Sequence, residues 1–251
     1  MTQGSISNSI NNTIAEVTFK HPSSNAFPAY LLHKLVDTLN SLSEDDTVKI
    51  IVLKSGGNRA FCAGASFDEL LAIKTQEEGT RFFSGFAHLL NAMRTCTKPI
   101  IGRIQGKAVG GGVGIIAACD YTFATQQAAV KLSELSIGIG PFVIAPAIER
   151  KMGISAFADL SLSGTWHSAD WCLNKGLYTH LFKDTQEMDT ALMAFTNKLA
   201  GQSKEALSTL KKVLWENTEN WDTLLYKRAA MSGKLVLRDS TKQILKNITT
   251  K

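Results

Sequence analysis

The sequence of 251 residues is short of the features that mark several large classes of protein. Its four cysteines, Cys62, Cys96, Cys119 and Cys172, are widely spaced and include no CxxC pair. That excludes a disulfide scaffold and the close ligand spacing of a structural zinc site. Nowhere is there an apolar run of about 18 residues or more, so a membrane-spanning helix is excluded. Basic residues never gather into blocks of about five or six, which argues against a nucleic-acid partner. The segment Met1–Asn12 is polar and has no apolar core of a signal peptide, so a cytoplasmic chain with reduced thiols is expected. GxSxG, HExxH and P-loop patterns are all missing, and the histidines at 21, 33, 88, 167 and 180 are scattered. Internal repeats and low-complexity segments are absent too.

What is present is ordinary globular composition: 44% hydrophobic and 20% charged residues, enough apolar material for one large domain. The 27 Lys and Arg against 22 Asp and Glu give a net charge of +5, spread along the chain. Solubility alone explains that excess, and it would also suit a small phosphorylated ligand.

The first half alternates between strand and helix patterns. Strands are expected at Thr13–Phe19, Val48–Leu53, Pro99–Ile104 and Asp120–Ala124, the second nearly all apolar as in a sheet covered on both faces. Helical spacing marks Pro28–Leu42 and Glu77–Met93, where Phe82, Phe86, Leu89, Leu90 and Met93 share a face, and Ile115–Cys119 is a short apolar candidate. This alternation predicts an α/β domain of β-α-β units. After about residue 140 helices dominate: Ala145–Met152, Ala156–Leu162, Ser168–Lys175, Gln186–Leu199, Ser203–Trp215 and a polar helix-prone tail to Lys251.

Two loops put small residues after a strand and before a helix: Ala60-Phe61-Cys62-Ala63-Gly64-Ala65-Ser66-Phe67-Asp68, and Gly106 through Gly114 with its GGG run. Small residues let a ligand approach backbone N–H groups, and an N–H at a helix start is an unsatisfied donor aided by the helix dipole. Two such donors aimed at one point would make an oxyanion hole. Close helix packing explains glycine runs equally well. Gly112 to Ala117 also fits the GxGxxA variant of the dinucleotide fingerprint, with Glu134 twenty residues beyond Gly114. Glu134, in Lys131-Leu132-Ser133-Glu134-Leu135, stands among apolar neighbours that could raise its pKa to a working value. A surface glutamate backed by Leu132 and Leu135 has the same pattern.

The order of these segments resembles the enoyl-CoA hydratase/isomerase (crotonase) family over about residues 12 to 200. The resemblance rests on Ser24-Asn25-Ala26-Phe27, Phe61-Cys62-Ala63-Gly64-Ala65, Gly106 through Gly112, Ala118-Cys119-Asp120, Leu132-Ser133-Glu134 through Gly138, and Ser163-Gly164 through Gly176-Leu177. It implies a crotonase-like β-β-α superhelical core, an acyl-CoA-binding region over 1–195, and a C-terminal helical region over 196–251 that mediates assembly into a homotrimer or a dimer of trimers. It implies a CoA thioester as substrate, with no metal and no redox cofactor. Residue by residue, it puts the oxyanion-hole N–H groups at Ala65 and Gly111 and the general acid/base at Glu134. Asn25, Ala26, Ala63, Phe67, Gly110 and Gly114 fall at substrate-binding positions.

The departures bear on the reaction. Hydratases of the family carry a second glutamate shortly after the GGG run, and here that position is Gly114. Ser133 stands where proline is usual, Gly138-Ile139-Gly140-Pro141-Phe142 replaces a glycine-rich stretch, and Arg238–Lys251 lacks the usual tail pattern. The resemblance puts hydration of an enoyl-CoA first. The missing carboxylate points to a Δ3,Δ2-enoyl-CoA isomerase with one glutamate base, and an acyl-CoA-binding protein without catalysis is a further alternative.

Overall fold

The computed structural model describes residues 3–249. Thr250 and Lys251 of the expected tail and the first two residues of the polar N-terminal segment lie outside the described residues. Two strands, β1 (Ser5–Asn11) and β2 (Ile14–Lys20), open the chain as an antiparallel hairpin. Three helices and two strands follow: α1 (Ala29–Glu44), β3 (Ile50–Ser55), α2 (Phe67–Ala72), α3 (Gln76–Thr95) and β4 (Ile100–Ile104). The glycine-rich segment forms β5 (Ala108–Val109) and α4 (Gly111–Ala118), followed by β6 (Tyr121–Thr125) and β7 (Val130–Lys131). Helices α5 (Ala145–Met152), α6 (Ile154–Ser163) and α7 (Ala169–Asn174) lead to β8 (His180–Phe182). Four helices close the chain: α8 (Thr185–Ala200), α9 (Lys204–Leu214), α10 (Trp221–Leu235) and α11 (Asp239–Thr249).

The main sheet runs β1-β2-β3-β4-β6-β8, with every pair after the first parallel, and β5 pairs with β7 in a small second sheet. Parallel neighbours need crossovers, and α1, α3 and α4 supply them. They pack one face of the sheet through Leu35, Leu39, Leu89, Met93 and Ile116. The other face carries Ile50, Val52, Ile101 and Phe123, covered by Met188 and Leu192 of α8 and Leu207 of α9. Burial on both faces is why β3 reads as unbroken apolar sequence.

Two elements differ from what the sequence pattern predicts. β1 was not foreseen, because SISNSIN is polar and mostly exposed on both faces, as an edge strand can be. The helix expected at Ile115 begins at Gly111, four residues earlier, because the whole of 112–118 is buried and packing overrides the low helix propensity of glycine. Helix α8, which spans residue 195, packs on the sheet.

Buried polar and backbone contacts also tie the C-terminal helices to the core. Lys211 of α9, 1% exposed, donates to both oxygens of Asp120 at 2.7 and 2.9 Å and to the Met93 carbonyl at 2.9 Å. Trp215 Nε1 donates to the same carboxylate at 2.6 Å. Further on, α10 crosses α3 at backbone contact: a Cβ on Gly79 would stand 2.8 Å from the Gly233 Cα. No helix of the described residues is long and apolar enough to cross a membrane.

Candidate active site

The two small-residue loops meet. Gly64 has φ +89°, and a Cβ there would lie 3.0 Å from the Val109 carbonyl oxygen and 3.6 Å from the Gly111 nitrogen. Only glycine tolerates both that φ and that approach. On the chain before it, Phe27 N donates to the Gly64 carbonyl at 2.8 Å and Ser66 N donates back to the Phe27 carbonyl at 3.0 Å. In such a parallel bridge the residue between, Ala65, turns its own N–H the other way. Ser66 then caps α2, its hydroxyl accepting from Glu69 N.

Neither Ala65 N–H nor Gly111 N–H has a hydrogen-bond acceptor among the described residues. Gly111 is the first residue of α4, where an N–H has no intrahelical partner and the helix dipole favours negative charge. A Cβ at Gly111 would meet the Phe86 ring at 2.3 Å, so the ring packs directly on this backbone.

Both loops open on a cavity of about 150 Å³. Its walls are mostly apolar: Leu70 of α2, Phe82, Phe83 and Phe86 of α3, and Phe142, Val143 and Ile144 ahead of α5. Glu134 is the sole ionisable side chain lining it among the described residues. The residue is half-buried, but its carboxyl is turned inward, and Oε2 is buried with no hydrogen-bond partner. Burial pushes the carboxyl up from 4.5 to about 7, with the backbone N–H groups of Glu134 and Ser133 pulling the other way. Gly110, at φ +54°, lets the backbone pass beside it: a Cβ there would stand 3.0 Å from Glu134 Oε1.

The structure brings Ala63, Ala65, Phe67, Gly110, Gly111 and Glu134 to this one cavity. Asn25, Ala26 and Gly114 are not on its wall. Asn25 braces the fold, its Nδ2 donating to the Gly56 and Ala60 carbonyls at 2.9 Å each and its Oδ1 accepting from His21 N at 3.0 Å. Ala26 is buried beside it. Gly114 is sealed: a Cβ there would meet Ile144 Cγ2 at 2.4 Å, so Ile144 occupies the space into which a longer side chain would project.

The dinucleotide fingerprint dissolves for the same reason. Gly112 and Gly114 lie inside α4, packed on Cys62 and Ile144, and Glu134 precedes a 3₁₀ turn (Leu135–Ile137) rather than ending a strand. Cys62 is no nucleophile candidate either, since burial pushes its thiol up to about 12. Phe82 and Phe86, which the sequence places on one helix face with no role at a site, both line the cavity, Phe86 as part of the core as well. Sequence reasoning missed Ser232 of α10, next to the Gly79–Gly233 contact.

The sequence model of the enoyl-CoA hydratase/isomerase family matches residues 9–247. The chain belongs to that family. A Bacillus subtilis protein described as a probable enoyl-CoA hydratase is 30% identical over 213 residues, covering 84% of this chain and 82% of that one. An Arabidopsis thaliana peroxisomal Delta(3,5)-Delta(2,4)-dienoyl-CoA isomerase is 28% identical over 196 residues, 72% of this chain and 69% of its own. Among solved structures, an enoyl-CoA hydratase from Bacillus halodurans superposes with a TM-score of 0.90 at 20% identity, covering 96% of this chain and 99% of that one. The α/β architecture is thus the crotonase fold, as the resemblance implied.

Proposed function

We propose that this crotonase-family protein shuttles one proton on an acyl-CoA thioester through Glu134, the chemistry of a Δ3,Δ2-enoyl-CoA isomerase. One observation carries the reading. Glu134 is the single carboxylate of the cavity among the described residues, and the position of a second, Gly114, is covered by Ile144.

In this reading the thioester oxygen accepts from the Ala65 and Gly111 N–H groups. The Glu134 carboxylate removes a proton from the carbon next to the carbonyl of a 3-enoyl thioester. The electron pair of that C–H bond passes into the enolate, whose charge settles on the oxygen held by the two donors. Protonated Glu134 then returns the proton two carbons further along, leaving the double bond conjugated with the carbonyl. A carboxyl with a pKa of about 7 can run this exchange in both directions near neutrality. The phenylalanine and isoleucine walls keep bulk water from the enolate. Atoms balance within the substrate, so the reaction calls for no metal or redox cofactor, and CoA enters as part of the substrate.

Hydration, first on the resemblance alone, is the second reading, supported by the description of the Bacillus subtilis relative. It would require Glu134 to activate water and protonate the adjacent carbon unaided. The chain is also read as a homotrimer or dimer of trimers, supported by exposed Ile154 and Leu162 of α6 and nearby Trp166, and light scattering tests it.

The deciding experiment is mass spectrometry of 2-enoyl- and 3-enoyl-CoA thioesters incubated with the protein in D₂O. A double bond shifted into conjugation, read by the absorbance of the conjugated thioester, with no added water and deuterium entering only where Glu134 exchanges its proton with solvent during a turnover, is the expected result, abolished by Glu134→Gln with acyl-CoA affinity kept. Gain of one water refutes isomerisation in favour of hydration. Binding without turnover on any thioester refutes catalysis.

A further inference from the structure

No side chain hydrogen-bonds the Glu134 carboxyl among the described residues, and its Oε2 is an orphan. The place of the carboxyl is therefore set by the backbone that carries it. That backbone is a closed turn: Ile137 N and Ile139 N both donate to the Glu134 carbonyl, at 3.2 and 3.1 Å, and Gly138 N donates to the Leu135 carbonyl at 3.1 Å. On one side the turn follows β7, and Gly110 N fastens the glycine loop to the Lys131 carbonyl at 3.0 Å.

On the other side lies α11, in the tail whose sequence departs from the family's pattern. Thr241, 1% exposed, donates its hydroxyl to the Gly138 carbonyl at 3.1 Å. The contact is close, since a Cβ on Gly138 would stand 2.5 Å from Thr241 Oγ1. Leu245 of the same helix and Val236 join Leu70 and Ile139 in an apolar cluster against which Ile137 packs. Hydroxyl and cluster thus grip the last residues of the turn that Glu134 begins.

We propose that Thr241 is a positioning residue for Glu134: its hydroxyl fixes the Gly138 carbonyl, holds the turn closed, and so keeps the carboxyl against Gly110 at the cavity wall. The catalytic half of this inference rests on the reading of Glu134 as the acid/base. The positional half does not.

Thr241→Val removes the donor and keeps the shape. The Glu134 carboxyl is followed by ¹³C NMR in the ligand-free chain, assigned by its absence in Glu134→Gln. A loosened turn admits water to the carboxyl, so its titration midpoint is expected to fall by about half a pH unit or more. On enoyl-CoA, kcat is expected to fall about tenfold with KM within about twofold, because a misplaced base slows chemistry more than binding. Thr241→Ser restores both. An unmoved midpoint, a kcat within about twofold of the parent, or a serine variant as impaired as the valine one overturns the proposal. If the valine chain does not fold, Thr241→Ser and Thr241→Cys carry the test, since the thiol is much the weaker donor. Equal midpoints in those two overturn it. Full activity in Glu134→Gln would sink the acid/base reading instead, and the NMR midpoint would still decide whether Thr241 holds the turn.

Discussion

Replacing Glu134 with glutamine should change the protein's stability by an amount that depends on pH. The carboxyl sits at about 7 in the folded chain against an ordinary 4.5. Below pH 4.5 it is protonated in both states, and its titration contributes nothing to the pH dependence. As pH rises from there, the unfolded chain releases the proton while the folded chain keeps it, so the folded state binds more protons and stability falls. The loss grows until pH passes about 7, after which both states are ionised and the penalty is constant. At about 1.4 kcal/mol per pH unit, the gap between the two pKa values amounts to about 3 kcal/mol. Glutamine cannot titrate. It adds a fixed offset for a buried amide but no slope. The difference in unfolding free energy, Glu134→Gln minus parent, is therefore expected to rise by about 3 kcal/mol between pH 4.5 and 8. Urea unfolding of both chains at four pH values, without ligand, measures it, and every other titrating group cancels in the difference. For a chain this size the effect corresponds to about 6–12 °C in Tm. A difference flat within about 0.5 kcal/mol would show that the carboxyl is hydrated rather than buried, and the pKa argument for its role would fall with it.

Gly114→Ala should destabilise the chain by about 1–3 kcal/mol, because the new methyl meets Ile144 Cγ2 at 2.4 Å. Combining it with Ile144→Ala, which removes the Cγ2 that the new methyl meets, should cost less than the sum of the two single losses, and additive losses in a double-mutant cycle would mean that Ile144 does not fill the space. Lys211→Met should cost about 3–5 kcal/mol by leaving Asp120 buried without its cation. Denaturant unfolding checks it, and a loss below about 1 kcal/mol would mean that the carboxylate is served well enough by Trp215 and Ile100 N.

The helices that bury one clear face, and the strand that buries both, were legible in the sequence. β3, α1, α3 and α5 fall within a few residues of their expected bounds because their apolar spacing is local. β1 was not, since an exposed edge strand needs no apolar face, although Asn12 and Thr13, both at positive φ, form the two-residue turn that makes the hairpin. Of the site, the two small-residue loops and Glu134 were visible as suspicions, and the family resemblance singled them out. Nothing local could show that Ile144 would close over Gly114. The gripping of the Glu134 turn by Thr241 joins residues more than a hundred positions apart, which no spacing rule reaches.

These parts answer a single physical problem. A carboxylate that is to exchange protons near neutrality must be kept from water and from cations, and both withdrawals favour its neutral form. The cavity achieves this with phenylalanine and isoleucine walls and no cationic side chain among the described residues. The cost is a group that no side chain among the described residues hydrogen-bonds, with Oε2 unpartnered, since any strong donor would draw its pKa back down. Orientation must then come from the backbone, which explains why the Glu134 turn is closed by two N–H groups on one carbonyl and gripped from outside by a hydroxyl on another. A second carboxylate at residue 114 would put like charge into the same low-dielectric space and raise the pKa of one of the pair further. With Ile144 in that space the pair never forms, and the proposed proton exchange is left to one glutamate, whose carboxyl burial pushes up to about 7.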